Sequence, residues 1–227
     1  MHASLGKDKN HYWREWIAAA GLHFQKSRHR IDKICPWNEF NNPASGWTGS
    51  DADLLRISED MKCIWTGRGT VTETGETALE VLNSVGLSNP IDISAICLSP
   101  SFGFGFGDGW KTYFANPKAR LAMDEIEFHV YGLTPSICMG QIAQVYDYLE
   151  RKFSLCVGEI SWPLGNTLSD DQKCNFIRDI YRAAPSFVSG EYLYAYNHQD
   201  HGTLVDSTGK VLTPMGQTYK QLQIATM

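Results

Sequence analysis

Segments with two different hydrophobic periods alternate along this chain, and that alternation most limits the folds open to it. Residues 10–28 place Trp13, Trp16, Ile17, Ala20 and Phe24 at helical spacing, and residues 51–65 do the same with Leu54, Ile57, Met61, Ile64 and Trp65. Residues 76–86 read as a further helix ended by Gly86, and 136–152 as the clearest one, with Ile142, Val145, Tyr146 and Leu149 in register. Ser169 with Gln172 is a capping-box signature ahead of Phe176, Ile177, Ile180 and Tyr181, and a last helical turn is expected near 215–223. Between these lie apolar runs of strand length: RIDKICPW (30–37), IDISAICL (91–98), EIEFHVY (125–131), SLCVGEI (154–160) and FVSGEYLYAY (187–196). Strands alternating with helices long enough for crossovers predict an α/β fold, a parallel sheet covered by helices. No linker, repeat or low-complexity stretch divides the sequence, so a single domain over residues 1–227 is expected.

The most distinctive chemistry falls just after the strands, in PWNEFNNP, PSFGFGFGDGW, ISWPLGN and YNHQDHG. Ligand sites in α/β folds lie beyond the carboxyl ends of the strands, so this placement points to function. Composition narrows the class. The net charge of −5 comes with no basic block, which argues against a nucleic-acid groove. No apolar run approaches the roughly 18 residues of a membrane span, and MHASLGKDKN has no signal-peptide core. An aromatic content of 12% fits a stacking surface for sugars or flat ligands, and fits a large core equally well. The cysteines at 35, 63, 97, 138, 156 and 174 include no C-x-x-C pair, which argues against structural zinc; Cys35, Cys97 and Cys156 are expected as small buried hydrophobes. The glycine-rich run Phe102–Trp110 does not match a dinucleotide fingerprint, and no clear helix begins where one would be needed. It reads as a mobile aromatic loop over a cleft. His198, Asp200 and His201 read as a loop rather than a metal site, and neither metal nor cofactor is expected.

Two carboxylates stand out by position. Glu39 follows Asn38 directly after the strand 30–37, and Glu159 closes a buried strand ahead of Trp162. A glutamate at the tip of an apolar strand is costly unless it pairs, titrates or faces a wet cleft. A strand-end salt bridge accounts for either one alone. Two such groups flanking a glycosidic bond divide the work, one protonated as acid and the other ionised as nucleophile.

PWNEFNNP resembles the W-N-E-P-N motif that ends the fourth strand of clan A glycoside hydrolases, and GEISWP resembles their seventh-strand E-x-x-W-P segment. FHVYG (128–132) is similar to the sixth-strand H-x-Y segment, and YAYNHQDHGTLVDSTGKVLTPMGQTYK to the eighth strand and its exit. Together these segments extend the resemblance over residues 10–223, with Phe40 standing where the family usually has Pro. The resemblance implies a (β/α)8 TIM-barrel-type fold and a retaining glycosidase acting on β-linked sugars. It implies that Glu39 is the general acid/base and Glu159 the nucleophile. Asn38 would bind the sugar 2-hydroxyl, Tyr131 would donate to Glu159, and His129 would line the cleft. Trp162, or one of Tyr194 and Tyr196, would supply a sugar platform. The expected partner is a carbohydrate, not nucleic acid or membrane.

One part does not fit. If residues 31–36 are the fourth strand, the chain holds about strands three to eight, and two β/α units are absent. An unpaired barrel strand exposes an edge and an apolar face. The favoured expectation is a fragment of a longer gene product; an internal Met1, or a genuine short chain that self-associates, are the other accounts. Cytoplasmic location is expected if Met1 is the true start, and secretion stays open if a segment precedes it. A non-catalytic glycan-binding or scaffold remnant of the barrel is the alternative function. A barrel enzyme for phosphorylated substrates ranks last, because WPLGN and NHQDHG carry no Lys or Arg.

Overall fold

The structure is a computed structural model that describes residues 10–27, 31–163, 168–193, 197–198, 202–206, 208 and 210–225. Contacts divide the chain into two compact units, residues 1–127 and 128–227.

In the first unit, helix α1 (Asn10–Lys26) leads to strand β1 (Lys33–Ile34), helix α2 (Asp51–Thr66) and a small antiparallel ribbon, β2 (Thr70–Val71) with β3 (Glu76–Thr77). Helix α3 (Ala78–Ser84), strands β4 (Ile96–Cys97) and β5 (Phe102–Gly103), and helices α4 (Gly109–Ala115) and α5 (Pro117–Leu121) follow. Strands β1 and β4 pair in parallel, Lys33 opposite Ile96 and Ile34 opposite Cys97. A parallel bridge then joins Leu98 to Glu125, just ahead of β6 (Ile126–Tyr131). The expected strands are present but short. Of residues 91–98 only Ile96 and Cys97 are in a strand, because the Asp92 carboxylate accepts from the Ser94 amide and hydroxyl and turns the backbone there.

Helix α2 begins in a capping box between Ser50 and Asp53 and ends at Gly67, whose left-handed conformation closes the last turn. It is buried on nearly every side, so Leu54, Ile57, Met61, Ile64 and Trp65 face apolar neighbours as expected. Helix α1 departs from expectation. Its buried stripe is Trp13, Arg14, Ile17 and Ala18, while Trp16 is 49% and Phe24 40% exposed. The helix turns that way because Arg14 has a buried partner. Its guanidinium lies 3.0 Å from Asp60 Oδ1 and 2.7 Å from Glu76 Oε2, and it also reaches Ser84.

This triad sets opposing pH dependences. Burial raises the Asp60 carboxyl to about 6 against the pull of Arg14, and Asp60 Oδ2 has no hydrogen-bond partner among the described residues. The hydrogen bond from Arg14 instead lowers Glu76 to about 2. Below its unfolded pKa Asp60 favours the folded chain, and that contribution is lost as pH rises through 6. The Glu76 contribution is complete above about 4.5 and is lost as pH falls toward 2. In urea unfolding between pH 3 and 8, the advantage of the unaltered chain over Glu76→Gln is therefore expected to hold above pH 5 and shrink below it. An advantage that grows on acidification would contradict this assignment.

In the second unit, β6, β7 (Leu155–Ser161) and β8 (Val188–Leu193) are neighbours in that order. Strands β7 and β8 run parallel, with register shifts after Leu155 and between Val157 and Ile160. Helix α6 (Pro135–Tyr148) packs Ile142 and Val145 inward, and Leu149 closes it. Helix α7 (Asp170–Ala183) starts at the Ser169–Gln172 capping box and buries Phe176, Ile177 and Ile180. A short hairpin, β9 (Asn197–His198) with β10 (Gly202–Thr203), precedes α8 (Pro214–Ala225), which packs on α7. Gly216 is obligatory in that helix, since a Cβ there would lie 1.9 Å from the Leu204 carbonyl oxygen.

None of the six cysteines forms a disulfide, and all but Cys35 are buried. Among the described residues no helix is long and apolar enough to cross a membrane.

Candidate active site

Of the residues expected to carry chemistry, Asn38 and Glu39 belong to the first unit, and His129, Tyr131, Glu159 and Trp162 to the second. In the first, the chain leaving β1 runs beside the chain around β5. Ser101 N donates to Trp37 O at 2.8 Å, and Phe40 N donates to Ser101 O at 3.0 Å. Between these bonds Glu39 takes a left-handed conformation, φ 46°, and its amide donates to Ser101 Oγ at 2.8 Å. A bulky non-glycine residue there costs about 1–3 kcal/mol and persists only where its surroundings hold it. The Glu39 side chain is buried, and its Oε2 accepts from Asn42 Nδ2 at 2.7 Å. Asn38 is exposed, with its Oδ1 3.4 Å from the Ser101 hydroxyl.

The neighbouring loop is tied down by Asn41. Its side chain accepts from Gly103 N and donates to Gly103 O, each at 2.9 Å. A Cβ at Gly103 would lie 2.3 Å from the Phe106 ring and 3.0 Å from Glu39 Oε1, so only glycine lets ring and carboxylate share that space. The aromatic run is thus mostly core rather than a mobile cover. Phe102 and Trp110 are buried and stacked at 4.7 Å, and helix α4 begins at Gly109, where no helix was expected. Phe106 alone among its large side chains is well exposed, at 46%.

In the second unit Glu159, near the end of β7, is partly exposed. The Tyr131 hydroxyl donates to Glu159 Oε2, and His129 Nδ1 lies 3.3 Å from the same oxygen. Alternation along β6 puts His129 and Tyr131 on one face and Phe128 and Val130 on the other. His129 is buried and Tyr131 half-buried, so the carboxylate is held by two groups of the same strand.

No protein-family profile matches the sequence, and no curated protein matches it either. Solved structures do. A GH128 (subgroup VI) exo-beta-1,3-glucanase from Aureobasidium namibiae superposes with a TM-score of 0.58 at 15% identity, over 86% of this chain and 69% of that one. A GH128 (subgroup II) endo-beta-1,3-glucanase from Sorangium cellulosum gives 0.56 at 19% identity, over 89% and 74%. The GH53 catalytic domain of Ignisphaera aggregans gives 0.56 at 15% identity, over 93% and 64%. The fold is that of the clan A glycoside hydrolase barrels.

The structure brings only some of the expected site residues together. Tyr131 and His129 stand beside Glu159. Trp162, expected as a sugar platform, is instead fully buried with its ring edge-on to Phe176, and presents no face to solvent. Tyr194 and Tyr196 lie outside the described residues, as do Asp200 and His201. Phe40 explains its own departure from the family motif. Its amide makes the bond to Ser101 that proline lacks the hydrogen to make, and its ring packs 5.2 Å from Tyr113. Ser101, Asn42 and Asn41 are the residues that sequence reading missed. The only hint of them was a Ser and two Asn in loops already marked as unusual.

Proposed function

We propose that this chain is a retaining glycoside hydrolase for β-linked sugars, with Glu159 as nucleophile and Glu39 as general acid/base. The observation that carries the proposal is the Tyr131 hydroxyl and the His129 ring on one oxygen of Glu159. A donor there steadies the ionised carboxylate and fixes its orientation, which is what attack on an anomeric carbon requires. The fold and the beta-1,3-glucanase neighbours support the choice of substrate class.

The chemistry would run in two displacements. Glu159 forms a bond to the anomeric carbon as the glycosidic C–O bond breaks, and protonated Glu39 gives its proton to the departing oxygen. Glu39, now ionised, then takes a proton from water as that water displaces Glu159. The Asn42 amide donates to Glu39 Oε2 and so helps fix the orientation of this carboxyl. Asn38, exposed and next to Glu39 in sequence, would meet a sugar hydroxyl in this reading.

Glu39→Gln tests the acid role. With unactivated β-1,3-linked glucose oligomers, kcat/KM is expected to fall at least about 100-fold. With a dinitrophenyl β-glycoside, whose leaving group needs no proton, glycosylation should be nearly unaffected in a single-turnover assay. Equal losses on both substrates would remove Glu39 from the acid role. Saturable glycan binding with no hydrolysis by the unaltered chain would favour a binding remnant.

A further inference from the structure

A second concave site lies within the first unit, lined by α2, the turn into β2, and α5. The cleft has a volume of about 180 Å³, and its walls include Lys62, Arg68 and Lys118. On a protein whose net charge is −5, three cations around one cleft run against the overall balance.

The bonding of each group decides what the cleft can take. Arg68 is satisfied by Asp124, at 2.7 Å, and by the Ala95 carbonyl. Lys62 lies 3.3 Å from the same carboxylate, which leaves it further N–H groups to donate. Lys118 is exposed, and among the described residues its ammonium has no ion pair or hydrogen bond. Glu59 is the one carboxylate in the wall, and it is turned to other work. Its oxygens accept from the Thr72 hydroxyl and from Thr72 N, the latter at 2.8 Å, and burial raises its pKa. Glu59 also feels the charge of Lys118, so Asp124 and Glu59 together offset two of the three cationic charges and the cleft wall keeps a net positive charge.

We propose that this cleft is an oxyanion site for phosphate or a phosphate monoester, held between Lys118 and Lys62. Ammonium groups bind phosphate as point charges, and a half-enclosed wall screens them less than open water does. Nothing in this inference depends on the glycosidase reading, since none of these residues belongs to either catalytic neighbourhood.

The test is calorimetric titration of inorganic phosphate into the full chain, with ionic strength held constant by chloride. Saturable binding is expected, weakened about tenfold or more by Lys118→Ala, largely kept by Lys118→Arg, and unchanged by Lys152→Ala, a surface lysine of the second unit. Because Lys118 is exposed, its replacement does not threaten the fold. Glucose 6-phosphate in a parallel titration separates the sources: tighter binding than inorganic phosphate assigns the site to a monoester, equal binding to the free ion. Absence of saturation, or an equal effect of Lys118→Ala and Lys152→Ala, would overturn the proposal.

Discussion

Glu159→Gln is expected to lower turnover of aryl β-glycosides and of β-1,3-linked glucose oligomers alike, by at least about 10⁴-fold. The amide keeps the size and most contacts of the carboxylate but cannot form the glycosyl ester. The Tyr131 hydroxyl has an acceptor in either case, so the local structure should survive. This separates Glu159 from Glu39, whose loss should depend on the leaving group. Tyr131→Phe provides the gradation between them, because it removes the donor but keeps the carboxylate proposed as nucleophile. Its kcat should fall while KM stays close to that of the unaltered chain. Residual activity of Glu159→Gln within tenfold of the parent would end the nucleophile assignment.

The largest stability effect is expected at Arg14, far along the sequence from either glutamate. Arg14→Ala leaves Asp60, whose side chain is wholly buried, without its counter-charge. Breaking one half of a buried pair costs about 3–5 kcal/mol, a large part of the roughly 5–15 kcal/mol by which a domain is stable. For a chain of this size that amounts to a fall in Tm of roughly 10 °C. Arg14→Met combined with Asp60→Leu should recover most of the loss, because neither charge is then stranded. If Arg14→Ala alone shifts Tm by less than about 2 °C, the triad is not the anchor of α1 on α2.

How far the sequence revealed this molecule follows from which forces act locally. Helices announced themselves wherever apolar spacing and a cap coincided, as at Ser169 with Gln172 and through residues 51–65. Strands were located but overestimated. An apolar run such as 91–98 looks continuous, while a single Asp92–Ser94 turn, a side-chain event, limits the ladder to two residues. The rotation of α1 was hidden for a different reason. Trp16 and Phe24 are the more apolar residues, yet Arg14 is the one with partners, Asp60 and Glu76, that arrive from 46 and 62 positions away. Periodicity weighs hydrophobicity and cannot weigh a distant counter-charge.

The candidate site was legible in its carboxylates and illegible in their supports. Glu39 and Glu159 drew attention by their position at the ends of apolar runs, whereas His129 and Tyr131, inside β6, were reached only through the family resemblance. Ser101 holds the Glu39 backbone and Asn41 brackets Gly103 through contacts that no short motif encodes. Trp162 shows the opposite error. A tryptophan beside a catalytic candidate suggests a platform, but its ring is spent on Phe176.

The buried thiols give the molecule built-in clocks for its own motions. Cys35, Cys63 and Cys97 belong to the first unit, and Cys138, Cys156 and Cys174 to the second. Burial pushes the Cys63 and Cys97 thiols up to about 12, so in the native fold they are neither exposed nor ionised. A thiol reagent can then react only during excursions that open the surrounding core. Peptide-resolved labelling would time those excursions separately for each unit. Phosphate bound in the proposed cleft would register as a slowing confined to the first unit.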